Sequence, residues 1–328
     1  MLMTAWSPSP RLSTPALLGA ALVCGLALAA PAQAQIKEIL VPANPGGGWD
    51  QTARAMQEAL QEAGISDGVQ VVNVGGAGGT IGLAQFATSN KRRGDTVMVG
   101  GLVMLGAILT NESAVTLEDV TPLARLTGEY EVLVVPAGSP IKNMDDLVAK
   151  LKEDPGSVSW GGGSAGGTDH IVAGLIAQAA GVDPTKVNYI AHAGGGEALA
   201  SILGGHVTVG VSGYQEFASQ IEEGQLRGIG ITADAPVEGI PVPTLKEQGI
   251  DVSLVNWRGV FAPPGIRDAD MEKLSEAVAK MVESPQWQET LKQRGWLNMY
   301  MPAEEFAAFI EEDREKVEGT LKSIGLVQ

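Results

Sequence analysis

The sequence predicts an α/β fold in two lobes, each a mostly parallel sheet flanked by helices. Three observations carry that expectation. Short apolar runs alternate with stretches of helical periodicity. Glycine-rich turns fall where such a run gives way to a helix, at residues 45–50, 161–169 and 193–197. The alternation restarts after Ser139 and then yields to a helix-rich final third.

In chain order, residues 36–41 read as a strand, and Asp50 can cap a helix whose apolar face is Ala53, Met56, Leu60 and Ala63. A strand at 69–74, the turn Gly75-Gly-Ala-Gly-Gly79 and a helix at 81–88 repeat the pattern. A strand at 96–99, a helix at 103–109 and two extended stretches at 120–126 and 131–135 follow. The second set has helices at 144–152, 170–180, 198–203 and 217–222 between strands at 158–160, 187–190, 207–211 and 226–232. Extended segments at 252–257 and 258–261 precede helices at 268–282, 285–294 and 303–324, which are expected to return to the first lobe. The expected division is therefore 35–136 plus 258–328 for lobe 1 and 137–257 for lobe 2. Two crossings between lobes make a hinge, with a cleft beyond the carboxyl ends of the strands.

Residues 1–34 have the makeup of a secretory signal: Arg11, an apolar run at 16–30, then Pro31 and the triplet Ala32-Gln33-Ala34. The run is too short to span a bilayer as a stable helix. Cleavage after Ala34 removes Cys24, so disulfide and thiol chemistry are excluded from the exported chain. It also leaves 21 basic against 38 acidic side chains, a net charge of −17. Such a surface repels nucleic acid and anionic lipid, and any anion must be held by local dipoles.

The glycine turns supply those dipoles. None contains a lysine or arginine, and the first turn of a helix leaves N–H groups unpaired at the positive end of the macrodipole, open to a ligand where glycine bares the backbone. Trp49 is expected as a cleft wall. Asp50 and Asp169, at equivalent places in the first two turns, are expected as caps with a second possible use in accepting a ligand hydrogen bond, and Glu197 offers the same at the third. Gly161-x-Gly163-x-x-Gly166 matches a dinucleotide fingerprint, but Asp183 precedes rather than ends the next strand. Gly162-x-Ser164-x-Gly166 spells a nucleophile elbow, which makes an exported serine esterase the alternative reading. The histidines after Ser164 are crowded at 170, 192 and 206, close for a triad. They share no metal-ligand spacing, so neither metal nor cofactor is expected. Arg125 and Arg258 lie near the proposed crossings and are open to either a salt bridge or ligand contact.

Taken in order, Pro45-Gly-Gly-Gly-Trp-Asp50, the Gly-Ala-Gly-Gly segment at 76–79, Trp160-Gly-Gly-Gly-Ser-Ala-Gly-Gly-Thr-Asp-His170, Gly194-Gly-Gly-Glu-Ala-Leu199, Pro243-Thr-Leu-Lys-Glu-Gln-Gly249 and Asn256-Trp-Arg-Gly-Val-Phe-Ala-Pro-Pro264 resemble the periplasmic receptors of tripartite tricarboxylate transporters, the Bug or TctC-type proteins. The resemblance implies a monomeric, type II-like two-lobed binding protein that is not an enzyme. It would close on an organic carboxylate, a di- or tricarboxylate first, and deliver it to small and large membrane subunits driven by an ion gradient. A receptor feeding a sensor protein is the other output. The resemblance places carboxylate contacts at Gly47, Gly48, Trp49, Asp50, Gly163, Ser164, Gly167 and Thr168; Asp169, Gly195 and Glu197 join them from the turns themselves. Trp49 replaces a small polar residue of other members, and Ala191-His192-Ala193 replaces their tyrosine and lysine.

Overall fold

Short apolar runs separated by glycine turns cannot bury both faces alone, and here they do so by joining one sheet under helices. The computed structural model describes residues 36–328; the expected signal peptide lies outside the described residues. The first part runs β1 (Glu38–Val41), α1 (Gly48–Glu62), β2 (Gln70–Asn73), α2 (Thr80–Ser89), β3 (Thr96–Gly101), α3 (Leu102–Thr110) and β4 (Thr121–Pro136). The middle runs α4 (Met144–Glu153), β5 (Ser159–Gly162), α5 (Thr168–Ala179), β6 (Asn188–Ala191), α6 (Gly195–Leu203), β7 (Val209–Gly213), α7 (Tyr214–Glu222) and β8 (Leu226–Ile231). The chain ends with β9 (Val255–Ala262), α8 (Asp268–Glu283), α9 (Pro285–Gln293), β10 (Leu297–Pro302) and α10 (Ala303–Ser323).

The strand order is β2-β1-β3-β9-β4-β7-β5-β6, with β8 and β10 also pairing β4. Pairing is parallel at both ends of this order and antiparallel through β3, β9, β4 and β7. The α/β class stands, but the sheet is mixed where a mostly parallel one was expected. The reason is chain path: β4 carries the chain out of the first part and β9 carries it back, so the two run in opposite senses side by side.

β4 is one strand of 16 residues where the sequence suggested two stretches. The polar Thr127-Gly-Glu-Tyr130 reads as a break, yet it stays in register with β9 at Thr127, Gly128, Glu129 and Tyr130. Gly128 is required there because a Cβ would lie 2.6 Å from Val255 Cγ1. Up to Tyr130, β4 pairs β9 and β10; from Glu131 it pairs β7 and β8. β10 was not anticipated, since its alternating half-buried Leu-Asn-Met-Tyr-Met gives little apolar signal.

The cores follow the same division. One apolar cluster joins β1, β3, β9, α1–α3 and α8–α10 and holds the fully buried Phe86, Phe261, Trp287 and Phe306. Two others lie on opposite faces of the second half of β4. Leu133 and Val135 point to the cluster with Trp160 and Ile176, while Val132 and Val134 point to the cluster with Ile202 and Phe217. That is the two-residue alternation of a strand buried on both faces. Each such large side chain contributes about 1.5–3 kcal/mol on burial. Arg125 is absorbed structurally: its Nε donates to Met299 O at 2.9 Å and its guanidinium lies 4.3 Å from the Phe309 ring centre.

Candidate functional site

The starts of α1, α5 and α6 all follow glycine turns, and all three contribute to the lining of one cavity of ≈ 720 Å³, its open mouth included. Gly47 and Gly194 cap α1 and α6 in extended conformation, without a side-chain capping bond. No N-cap side chain satisfies the N–H groups of these first turns, although Glu197 N donates to Gly194 O at 3.2 Å. Gly47 and Gly195 approach each other across the cavity: a Cβ at Gly47 would lie 3.5 Å from the Gly195 nitrogen. From the first part Gly47, Gly48 and Trp49 line the space; from the middle part Gly163, Ser164, Asp169 and Gly195 do.

Trp49 forms a wall and is 7% exposed. Its ring needs the space left by Gly79, where a Cβ would be 2.8 Å from Trp49 Cζ3. Gly79 also has φ +94°, in the left-handed region that favours glycine. Gly76, Ala77, Gly78 and Gly79 all have positive φ and fold into a fourth wall. The sequence marks this as a turn but gives no reason to place it in the cleft.

The other expected residues have different surroundings. Asp50 faces away, accepting from Gly46 N at 3.0 Å, Arg54 Nε at 2.9 Å and Asn73 Nδ2 at 3.0 Å, which ties the turn to α1 and β2. Gly167 caps α5 and donates to Ser164 O at 3.0 Å. Thr168 is fully buried behind the turn. Glu197 accepts from Ala193 N at 3.2 Å and, from the first part, Asn44 Nδ2 at 3.4 Å.

The chain's own carboxylates already crowd the glycine turns. Gly163 N donates to Asp169 Oδ2 at 2.6 Å. Glu216 lines the cavity beside Gly48 and Ser212, and its Oε2 packs against Gly195. Asp169 and Glu131 are buried close enough that the Asp169 charge disfavours ionisation of Glu131. Burial raises all three acids: Asp169 to about 6, Glu216 to about 8 with Asp169 adding to the effect, and Glu131 well above the usual range. Asn256 Nδ2 donates to Glu131 Oε1 at 2.9 Å.

Arg258 is the one cationic side chain among the described residues that line the cavity, and it is paired with the equally buried Glu129. Glu129 Oε2 also accepts from Trp296 Nε1 at 3.2 Å. Sequence reasoning singled out Arg258 but missed Glu129, Glu131, Ser212, Glu216 and Asn256. The available signal was acidic residues inside otherwise apolar strands, at Glu129 and Glu131. Ser164 has no hydrogen bond to a histidine: His170 Nδ1 accepts from Gly166 N at 3.2 Å, and His192 Nδ1 lies 3.0 Å from Gly162 O. Burial lowers the His170 value to about 4. Among the described residues no group of His, Cys, Asp and Glu is placed to hold a metal ion, and no helix is long and apolar enough to cross a membrane.

A mixed α/β sheet with helix starts converging on a cavity at the strand ends is the architecture of a solute-binding protein. Solved structures bear this out at the level of fold. "R. palustris Rpa4515 with adipate" matches with TM-score 0.80 at 21% identity, covering 89% of this chain and 97% of that one. "MatC (Rpa3494) from Rhodopseudomonas palustris with bound malate" matches with TM-score 0.77 at 23% identity, covering 88% and 99%. In sequence, the chain is 30% identical over 319 residues to the "UPF0065 protein in gbd 5'region" of Cupriavidus necator, covering 94% of this chain and 96% of the relative. Residues 52–326 match the family described as "Tripartite tricarboxylate transporter family receptor", and the chain belongs to that family.

Proposed function

We propose that this protein is a periplasmic receptor that captures a small organic carboxylate between two lobes and hands it to the membrane subunits of an ion-gradient-driven tripartite transporter. The observation that carries this reading is the convergence of three glycine-capped helix starts on one cavity, with Gly47 of one side against Gly195 of the other. A carboxylate held by such amides needs no charged side chain. Malate and adipate in the two related structures support the carboxylate class.

The lobes in this reading are the two sides of the sheet, and the hinge is where β4 changes partners after Tyr130 and where β9 begins at Val255. Lobe closure is favoured to the extent that the ligand contacts both sides. Ser164 without a histidine partner supports capture over ester hydrolysis. Calorimetric titration of refolded protein with mono-, di- and tricarboxylates and amino acids tests the reading. Stoichiometric binding, with the compound recovered unchanged, is expected; a folded sample that binds none of them, or hydrolyses an ester through Ser164, overturns it.

A further inference from the structure

The side chains facing the cavity are richer in acceptors than a site for a doubly charged anion should be. Asp169 and Glu216 are lining carboxylates, and the one lining cation among the described residues, Arg258, is already neutralised by Glu129. Behind them Glu131 adds a third acid. A separate observation points the same way. Asn256 lines the cavity, is 6% exposed, and commits its Nδ2 to Glu131 Oε1 at 2.9 Å, which leaves Oδ1 as a buried acceptor without a partner. Buried acceptors of this kind are ordinarily satisfied.

We infer that the cleft is built for an amino carboxylate: the ligand carboxylate takes free amides of the glycine turns, and its ammonium group is received by Asn256 Oδ1 with Glu216 and Asp169. This rests on the receptor reading above and narrows it. A second carboxylate at that end would face the lining carboxyl groups of Asp169 and Glu216. Asp169, held near about 6, keeps its negative charge at pH 7.5, and a like charge about 4 Å away in a partly desolvated site costs on the order of a thousandfold in affinity. An ammonium group there gains charge-assisted hydrogen bonds instead.

The test is calorimetry at pH 7.5 on the refolded protein with matched pairs: β-alanine against malonate, 4-aminobutanoate against succinate, and 5-aminopentanoate against glutarate. The best amino carboxylate is expected to bind at least tenfold more tightly than its dicarboxylate partner. Glu216→Gln, and separately Asn256→Leu, should shrink that ratio to within about twofold while dicarboxylate affinity holds or rises. Should either variant fail to fold, the wild-type ratios decide alone. Dicarboxylates preferred in every pair would overturn the ammonium assignment and leave the carboxylate receptor standing. Binding of none of these compounds, nor of any other carboxylate, would overturn both.

Discussion

Gly48 and Gly47 are neighbours in the same turn, yet the structure assigns them different consequences when a methyl group is added. At Gly48 the new Cβ would overlap the Arg258 guanidinium, with Nε at 3.0 Å and Nη2 and Cζ closer still. Arg258 cannot swing aside, because it is 2% exposed, paired with Glu129, and lies 5.4 Å from the Trp296 ring centre. Overpacking costs about 1–3 kcal/mol, and disturbing a buried ion pair costs up to about 3–5 kcal/mol, so a net loss of about 3 kcal/mol is expected. At about 2 cal/mol/K per residue over roughly 290 folded residues, this lowers the thermal midpoint by about 5 °C. Gly47→Ala should stay within about 1 °C, since its Cβ meets only the Gly195 nitrogen at ordinary contact distance. Differential scanning calorimetry on both variants makes the comparison. A Gly48→Ala protein as stable as the wild type would refute the placement of Arg258 beneath the turn. By the same geometry, a bulky residue at Gly48 disturbs the fold as well as the cavity. Gly163 remains the cleaner probe, with Asp169 Oδ2 at 3.3 Å from its Cβ.

Stability should decline as pH rises from about 4.5, because three buried acids raised on folding outweigh one lowered histidine. Glu216 rises from an ordinary 4.5 to about 8 on folding, so the folded state holds the extra proton and stability is lost as pH climbs through that window; His170, lowered from 6.5 to about 4, removes stability as pH falls through its own. The thermal midpoint should drop between pH 6.5 and 8.5, and Glu216→Gln should flatten that slope; an unchanged slope would contradict the burial of this carboxyl. Asp50→Ala strands Gly46 N and leaves Asn73 Nδ2 only its bond to Ala43 O, and should cost about 2–4 kcal/mol in urea unfolding, whereas Arg54→Ala, whose side chain is half exposed, should cost under about 1 kcal/mol. Glu129→Leu leaves Arg258 buried without its partner and should cost about 3–5 kcal/mol, with Glu129→Leu/Arg258→Met recovering most of it. A double variant no better than the single one would show that Arg258 is held by something else.

What the sequence made legible was local. The glycine turns, the helices behind them and the wall position of Trp49 follow from short-range patterns, because turn chemistry and periodicity act over a few residues. The buried polar cluster was not legible, because its members meet only through topology: Asn256 pairs with Glu131 across 125 positions, and Trp296 with Glu129 across 167. β4 hid for a related reason. Thr127-Gly-Glu-Tyr130 has the composition of a turn, and only the partners supplied by β9 and β10 make it a strand. Asp50 and Asp169 look equivalent in sequence, yet Asp50 turns away to Asn73 while Asp169 lines the cavity beside Glu131.

The central claim is that backbone amides of the glycine turns hold the ligand between the two sides of the sheet. Hydrogen–deuterium exchange on the refolded protein, with and without saturating amounts of the tightest-binding carboxylate from the titration panel, tests it directly. Slowed exchange in peptides covering residues 46–51, 161–168 and 194–197 together is the result this account requires. Tight binding that leaves all three segments unprotected would place the ligand elsewhere and contradict it.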